Sequence, residues 1–291
     1  MGTTLITSRD PKGLQAVSLF EAVYNKAKLD APRAQQLNER GGEFQDGILK
    51  LINELTISNQ FADEEVSSEY TYPKEFKQQP LNVQIEVLCK YFPQLSPDLT
   101  LQFIQNELPK LTLPEGAEGW MAIPKWEKIA TAYSEAVQKT LDAINSTRNF
   151  YNYRSGEINE NQLRMHPRTA HALDLLAEQQ PGDILIIAMQ YGMLHRGQSV
   201  RRARELFNPN EFGLGSFALG CLALTHPQRY MRWEELDTDC VGDEFKPGDV
   251  YSFSLAPFFF FYDDRLRFGT SVVSNAYGNY GSASAFLPQQ K

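Results

Sequence analysis

Hydrophobic side chains recur every three or four residues over much of the first 180 residues, a spacing that predicts helices. The stripe over residues 33–55 is interrupted by Gly41 and Gly42, where we expect the helix to kink or break. Proline residues stand at the ends of several other stripes, as is typical of helix boundaries. These further predicted helices cover residues 81–92, 97–108, 124–144 and 167–179.

After Gly182 the pattern becomes mixed. Residues 183–189 form an almost wholly apolar run beside a Pro-Gly turn, which predicts a buried strand. The segment 258–268 predicts two more strands that are joined by a turn at Asp263–Asp264. Helices are expected over residues 199–207 and 215–224, and irregular structure over the Gly-, Ser- and Tyr-rich residues 277–286.

The order of these elements predicts an α+β fold. We expect a mainly α-helical region over residues 1–180 and an α+β region over residues 181–291, with a small mixed or antiparallel sheet in the second. No low-complexity linker separates the two regions. We therefore expect them to pack into one compact unit.

Composition narrows the classes of function. The chain has 291 residues, with 28 Lys and Arg against 36 Asp and Glu, and a net charge of −8. This balance argues against a general affinity for nucleic acids or anionic lipids. No apolar run approaches the ~20 residues that a membrane-spanning helix needs. The three widely spaced cysteines form no disulfide framework, so we expect a soluble, cytoplasmic protein without a membrane partner.

The first candidate site is the loop over residues 191–204, which follows the predicted strand and leads into a helix. Backbone N–H groups and the helix dipole favour an anion at such a helix N-terminus. Arg196 would bind a phosphate or carboxylate, and His195 would act as an acid or base near neutral pH. The predicted ligand-binding residues are Arg196, Gly197, Ser199, Arg201 and, from a separate Gly-rich loop, Trp120.

Alternatives stay open for these residues. The loop matches neither of the glycine patterns that bind nucleotide phosphates. Arginines at positions 201, 202 and 204 are also typical of a solvated helix face that pairs with acidic side chains. Trp120 is equally typical of a side chain that packs its loop onto the core.

The acidic segment 237–244 is the second candidate site. Asp237 and Asp239 share one face if the segment begins as a strand, and carboxylate oxygens suit Mg²⁺. A metal-assisted hydrolase or transferase would use these two residues as metal ligands. Its predicted catalytic residues are His195, Asp239, Asp243 and Glu244. The alternative is a polar turn between two elements.

Cysteine chemistry gives two further interpretations. Cys240 would act as a nucleophile only with His195 or His226 as its base, since no histidine follows position 226. Cys221, His226 and Cys240 have the ligand types of a zinc site but lack its paired short spacings.

The aromatic run over residues 257–262 predicts a strand that needs cover on both faces. A buried central strand is the default interpretation, whereas an edge strand would be a surface for self-association. A structural or self-assembling interaction protein is therefore a third functional class, beside an anion-binding protein and a metal-dependent enzyme.

Four segments resemble an uncharacterised family of bacterial proteins, and the likeness runs through most of the chain. The resemblance implies a bacterial origin and implies no fold, activity or functional residue. The segments are residues 37–42, 195–205, 210–215 and 281–288.

Overall fold

The computed structural model describes residues 7–56, 59–248 and 252–290. The chain divides into two compact units, Met1–Ile57 and Ser58–Lys291. Helices and sheets occur together, which confirms the predicted α+β fold. Among the helices of the described ranges, none is long and apolar enough to cross a membrane. The change of pattern near residue 180 falls inside the second unit, whose strands begin at Leu111.

Three helices form the first unit: α1 (Pro11–Lys26), α2 (Ala31–Glu39) and α3 (Gly41–Thr56). The predicted break is confirmed, because α2 ends at Glu39 and α3 begins at Gly41. The Asp30 carboxylate accepts a 2.9 Å hydrogen bond from the backbone N–H of Arg33 and so caps α2. Of the side chains described in this unit, none is buried.

The helices of the second unit are α4 (Leu81–Tyr91), α5 (Asp98–Asn106), α6 (Tyr133–Thr147), α7 (Pro167–Gln179), α8 (Val200–Leu206) and α9 (Ser216–Thr225). All ten residues of α9 are buried, because its sequence is apolar on every side. α6 packs against α9 and buries Val137, Leu141 and Ile144.

The strands of the described residues are β1 (Leu111–Thr112), β2 (Gly119–Pro124), β3 (Phe150–Asn152), β4 (Leu163–Met165), β5 (Ile184–Gln190), β6 (Glu211–Gly213), β7 (Asp237–Asp239), β8 (Asp243–Phe245), β9 (Leu255–Tyr262), β10 (Arg265–Val272), β11 (Tyr280–Ser282), β12 (Ser284–Phe286) and β13 (Gln289–Gln290). β1 pairs with β13, and the others form two sheets.

The smaller sheet has four antiparallel strands in the order β2-β5-β12-β6. β5 is paired on both sides, and all seven of its residues are buried. This confirms the buried strand that the apolar run predicts.

The larger sheet has seven strands along the path β11-β7-β9-β10-β3, with β8 pairing with β9 and with β4. β9 and β10 form the predicted hairpin, and its turn residues Asp263 and Asp264 have φ values of 53° and 54°. β9 is therefore a central strand, and its Phe259 is buried in the main core.

The expectation of irregular structure over residues 277–286 is wrong. β11 lies in the larger sheet and β12 in the smaller one, and only Ala283 separates them. Small residues permit the close approach that this needs: a Cβ on Gly281 would lie 2.3 Å from the carbonyl oxygen of Gly192. This segment therefore links the two sheets.

A buried guanidinium makes a second link. Arg229 is fully buried, and its Nη1 donates a 2.8 Å hydrogen bond to the carbonyl of Leu236. Its Nη2 donates to the carbonyl of Tyr191 at 3.2 Å and to the Thr238 hydroxyl at 3.0 Å. Because Tyr191 follows β5 and Thr238 lies in β7, one side chain joins a strand of each sheet.

We expect Arg229→Lys to lower the free energy of unfolding by about 2–4 kcal/mol, because an ammonium group cannot reproduce the planar fork that reaches three acceptors. Urea unfolding followed by tryptophan fluorescence measures the loss. The control is Arg232→Lys, because Arg232 is half exposed and pairs with Glu75 at 2.7 Å. We expect this control to lose at most about 1 kcal/mol. Equal losses in the two variants would contradict a linking role for Arg229.

Candidate functional site

The predicted strand, loop and helix are present around residues 191–204. β5 ends at Gln190, Gly192 has a φ of 125°, and α8 begins at Val200. The Ser199 hydroxyl accepts a 3.1 Å hydrogen bond from the backbone N–H of Arg202 and caps α8. The local geometry is thus the one from which an anion site was predicted.

Oxygen atoms of the chain itself already accept hydrogen bonds from five N–H groups of this loop. These donors are Gly192 and Leu194 (to Gln190 Oε1, 2.6 and 3.4 Å), Met193 (to the Tyr72 hydroxyl, 2.9 Å), Gly197 (to the Tyr280 carbonyl, 2.9 Å) and Ser199 (to the Glu64 carbonyl, 3.1 Å). An anion would have to displace these bonds, so the backbone of the loop offers little to it.

Acidic side chains pair with the arginines at the start of α8. Arg201 Nε donates to both carboxylate oxygens of Glu64, at 2.8 and 2.7 Å. Arg202 donates to Glu65 and, at 2.9 Å, to Glu205. Arg201 has a side chain that is 40% exposed, whereas Arg202 is buried, so only part of the solvated face of the alternative interpretation is present. Glu64 and Glu65 come from a segment more than 130 residues earlier in the chain, and Glu205 lies three positions after Arg202.

Arg204 brings the two candidate segments together. It donates to the carbonyl oxygens of Val241 at 2.9 Å and of Asp243 at 2.7 Å. Arg196 behaves differently: it is half-buried, it donates to the Tyr70 carbonyl at 3.0 Å, and it forms no ion pair within the described ranges. Anion binding at Arg196 stays a prediction.

His195 lies in an enclosed network. Its Nε2 is 2.8 Å from Glu211 Oε1, and its Nδ1 is 3.1 Å from Gln198 Oε1. The Ser284 hydroxyl donates to the same Glu211 oxygen, and all three of His195, Glu211 and Ser284 are buried. A serine nucleophile needs its base within hydrogen-bonding reach, whereas here the carboxylate lies between the hydroxyl and the imidazole. The network therefore connects the loop to β6 and β12.

The carboxylates of Asp243 and Glu244 have structural partners. Asp243 accepts a 2.6 Å bond from the backbone N–H of Ser216 in the first turn of α9, and a 2.8 Å bond from the Tyr133 hydroxyl. Glu244 pairs with Arg164 at 2.8 Å. The predicted catalytic residues therefore do not share one bonded network with His195.

Asp237 and Asp239 lie on one face of β7, as their spacing predicts. Burial raises the pKa of Asp237 to about 8, and the nearby charge of Arg229 opposes part of this rise. Burial also raises the pKa of Asp239 to about 7. Metal ligands must be deprotonated, so Mg²⁺ binding here would oppose the effect of burial on both carboxyls. In the part of the chain that the structure describes, no group of three His, Cys, Asp or Glu side chains could hold a metal ion.

Cys221 and Cys240 are buried, whereas Cys89 is partly exposed. Burial raises the pKa of both Cys221 and Cys240 far above that of a free thiol. His226 Nε2 accepts a 2.9 Å bond from the backbone N–H of Gln79, and burial lowers the pKa of His226 to about 4. Burial therefore disfavours a thiolate at Cys240, and Nε2 of His226 is already bonded.

Trp120 lies in β2, opposite Ala188 of β5, and packs against the main core. Its carbonyl accepts hydrogen bonds from the side-chain amides of Gln78 and Gln84. This position favours the packing interpretation of Trp120.

The outer face of the larger sheet, opposite the main core, carries an unbroken series of six aromatic rings. Strand alternation places the buried Phe258 and the partly buried Phe260 on this side, and Phe259 on the other. We call the surface formed by the six rings the aromatic face. Its neighbouring pairs, with their centroid distances, are Tyr151–Tyr153 (4.7 Å), Tyr153–Phe260 (6.2 Å), Phe260–Phe258 (4.9 Å), Phe258–Tyr280 (4.9 Å) and Tyr280–Tyr277 (4.9 Å).

Polar groups lie beside the rings. Asp237 and Asp239 are the partners of Tyr280 and Ser282 in the strand register, and so they share the face. Asn279 donates a 2.8 Å hydrogen bond to Asp237.

α8 covers one end of the outer face, where Val200 and Ala203 pack with Val241 and Ala256. Three of the six rings are 41–48% exposed, namely those of Tyr151, Tyr153 and Tyr277.

Sequence reasoning missed this face. The signal was present in part, because Phe258 and Phe260 alternate along a predicted strand beside a predicted turn. The other four rings come from segments 150–153 and 277–280, for which no strand was predicted.

Comparison with protein-family models, with curated proteins and with solved structures gives no significant match to this chain.

The double variant Asp237→Asn/Asp239→Asn tests the burial of the two carboxyls. Their pKa values in the folded chain lie above the ordinary value near 3.9. The folded state therefore binds more protons than the unfolded state between about pH 4 and pH 8, and stability falls as pH rises through this window. We expect the fall from pH 5 to pH 8.5 to be about 2–5 kcal/mol larger in the wild type than in the variant.

Urea unfolding at a series of pH values measures this difference. Asp263→Asn is the control, because the Asp263 side chain is 66% exposed. We expect the control to keep the wild-type slope. A double variant whose stability falls with pH as steeply as that of the wild type would contradict the buried, protonated state of the pair.

Proposed function

We propose that this protein binds a carbohydrate chain on the aromatic face. The observation that carries the proposal is the continuity of the six rings across strands of one sheet. Aromatic rings present a broad apolar surface with a weakly negative face, which attracts the weakly positive C–H groups of a sugar ring. Four of the six are tyrosines, whose hydroxyls can both donate and accept hydrogen bonds.

Charge favours an uncharged ligand. Two guanidiniums lie on this side of β10, those of Arg265 and Arg267, and their Nη2 atoms are 3.8 and 3.3 Å from the carboxylate of Asp263. Burial keeps Asp237 largely protonated and Asp239 partly protonated at neutral pH. Nucleic acids are held chiefly by Lys and Arg that neutralise phosphates, and this face has no excess of them. An uncharged carbohydrate chain does not need such basic side chains.

Arg267 also contacts one ring of the face. Its Nη1 donates a 2.6 Å hydrogen bond to the Tyr153 hydroxyl, and its guanidinium lies 4.9 Å from the ring centroid of Tyr262, which is outside the six. Tyr153 is thus held before any ligand arrives, which lowers the entropic cost of binding at that ring.

The size of the exposed patch favours a ligand over a stable protein partner. With three tyrosines less than half exposed, the rings present on the order of 400 Å². A standard protein interface buries about 800 Å² on each partner. Phe260 and Tyr280 are partly buried on the surface of the sheet and not in a concave pocket, which suits an extended chain better than a compact small molecule.

Isothermal titration calorimetry with maltohexaose, cellohexaose and chitohexaose tests the proposal. We expect the wild type to bind at least one of them, and Tyr153→Ala/Tyr277→Ala to bind it about 5- to 150-fold more weakly, because two exposed rings are lost. The matched control is Tyr70→Ala, since Tyr70 is also exposed and lies outside the face. We expect this control to bind as the wild type does.

Two results would overturn the proposal. One is the absence of binding to all three hexasaccharides at millimolar concentration. The other is binding of oligouridylate through the same tyrosines with an affinity that falls steeply with salt, because that dependence is characteristic of phosphate contacts.

A further inference from the structure

The helices of the first unit carry more apolar surface than they bury. Ten large apolar side chains of α1 and α3 are 39–77% exposed, and no side chain described in this unit is buried. A unit of this size without a core of its own gains too little from burial to offset the entropy of folding. The ten are Leu14, Val17, Leu19, Phe20, Val23, Tyr24, Leu49, Leu51, Ile52 and Leu55.

The spacing of these side chains is that of packed helices. On α1, Val17, Phe20 and Tyr24 follow a three-four spacing. On α3, a four-three-four spacing runs from Phe44 through positions 48 and 51 to Leu55. This heptad spacing presents one apolar seam to a neighbouring helix. The rings of Phe20 and Phe44 are 6.1 Å apart, so the two seams already touch at one point within the unit.

Charge distinguishes among the possible occupants of these seams. Residues 1–57 contain seven basic and seven acidic residues, so the whole net charge of −8 belongs to residues 58–291. Two copies of a neutral unit approach each other without net repulsion. Helices that lie on membranes carry an excess of Lys and Arg on their polar face, and this unit has no such excess.

The exposed apolar area of α1 and α3 also favours a second copy of the chain as the partner. Ten side chains exposed to this degree present on the order of 800 Å². This is about what one partner contributes to a stable interface, and roughly twice what the aromatic face offers. The area is sufficient for a dimer.

We infer that α1 and α3 of one copy of this chain pack against the same helices of a second copy, and that the protein is a dimer through its first unit. Such an interface is isologous, because the same seam is used by both copies. The assembly would carry two aromatic faces, and a polymeric ligand would then bind with higher avidity.

Sedimentation velocity of the full chain over a hundredfold range of concentration tests this inference. We expect a dimer for the wild type and a monomer for Val17→Glu/Tyr24→Glu, since both residues belong to the seam of α1 and are 40% and 39% exposed. The matched control is Gln15→Glu/Ala22→Glu, which adds the same charge on the opposite side of α1. We expect this control to remain a dimer. Circular dichroism reports whether each variant keeps its helices.

Three results would overturn the inference. A wild type that is monomeric at every concentration excludes the dimer. A Val17→Glu/Tyr24→Glu variant that still dimerises places the interface elsewhere. Flotation of the monomeric wild type with vesicles of phosphatidylcholine and phosphatidylglycerol would assign the seams to a membrane surface. None of these results affects the binding test of the aromatic face, because the tyrosine variants lie in the second unit.

Discussion

The guanidinium of Arg229 is the contact on which the arrangement of the two sheets depends. A buried charge without a paired counter-charge is costly unless fixed dipoles replace its water. Here two carbonyl oxygens and one hydroxyl accept its hydrogen bonds, and its charge lies 4.6 Å from the ring centroid of Tyr72. Since these groups belong to separate segments, the charge is stable only while those segments stay together. The same contact holds β7 in place, and with it the carboxyls of Asp237 and Asp239.

Sequence patterns predicted the helices and strands that are determined by neighbouring residues. The break at Gly41, the buried strand β5 and the β9–β10 hairpin each follow from residues that adjoin one another in the sequence. The strands β11 and β12 were missed because their sequence, rich in Gly, Ser and Tyr, has no apolar alternation of its own. They form because partners from distant segments supply the hydrogen bonds, and because small residues allow the backbones to come close.

In the candidate site, too, features set by neighbouring residues were predicted and contacts between distant segments were not. The sequence left two interpretations open for the arginines of residues 201–204. It could not identify Glu64 and Glu65, which pair with Arg201 and Arg202, because they lie in a stretch where no element was predicted. No pattern within residues 191–204 could identify Glu64 and Glu65 as these partners. The aromatic face is assembled from three segments that are far apart in the chain, so it becomes visible only when the strand order is known.

Residues 280–286 have one more consequence, which concerns the order of folding. β12 is synthesised after β5 and β6, yet it lies between them in the interior of the smaller sheet. The side chain of Gln190 bonds to Ser284 across 94 positions of sequence. Contacts between such distant residues must wait for a large loop to close, and chains dominated by them fold slowly. Until this segment arrives, β5 and β6 expose unpaired backbone edges, and a nascent chain in that state would be prone to join its strands to those of a neighbour.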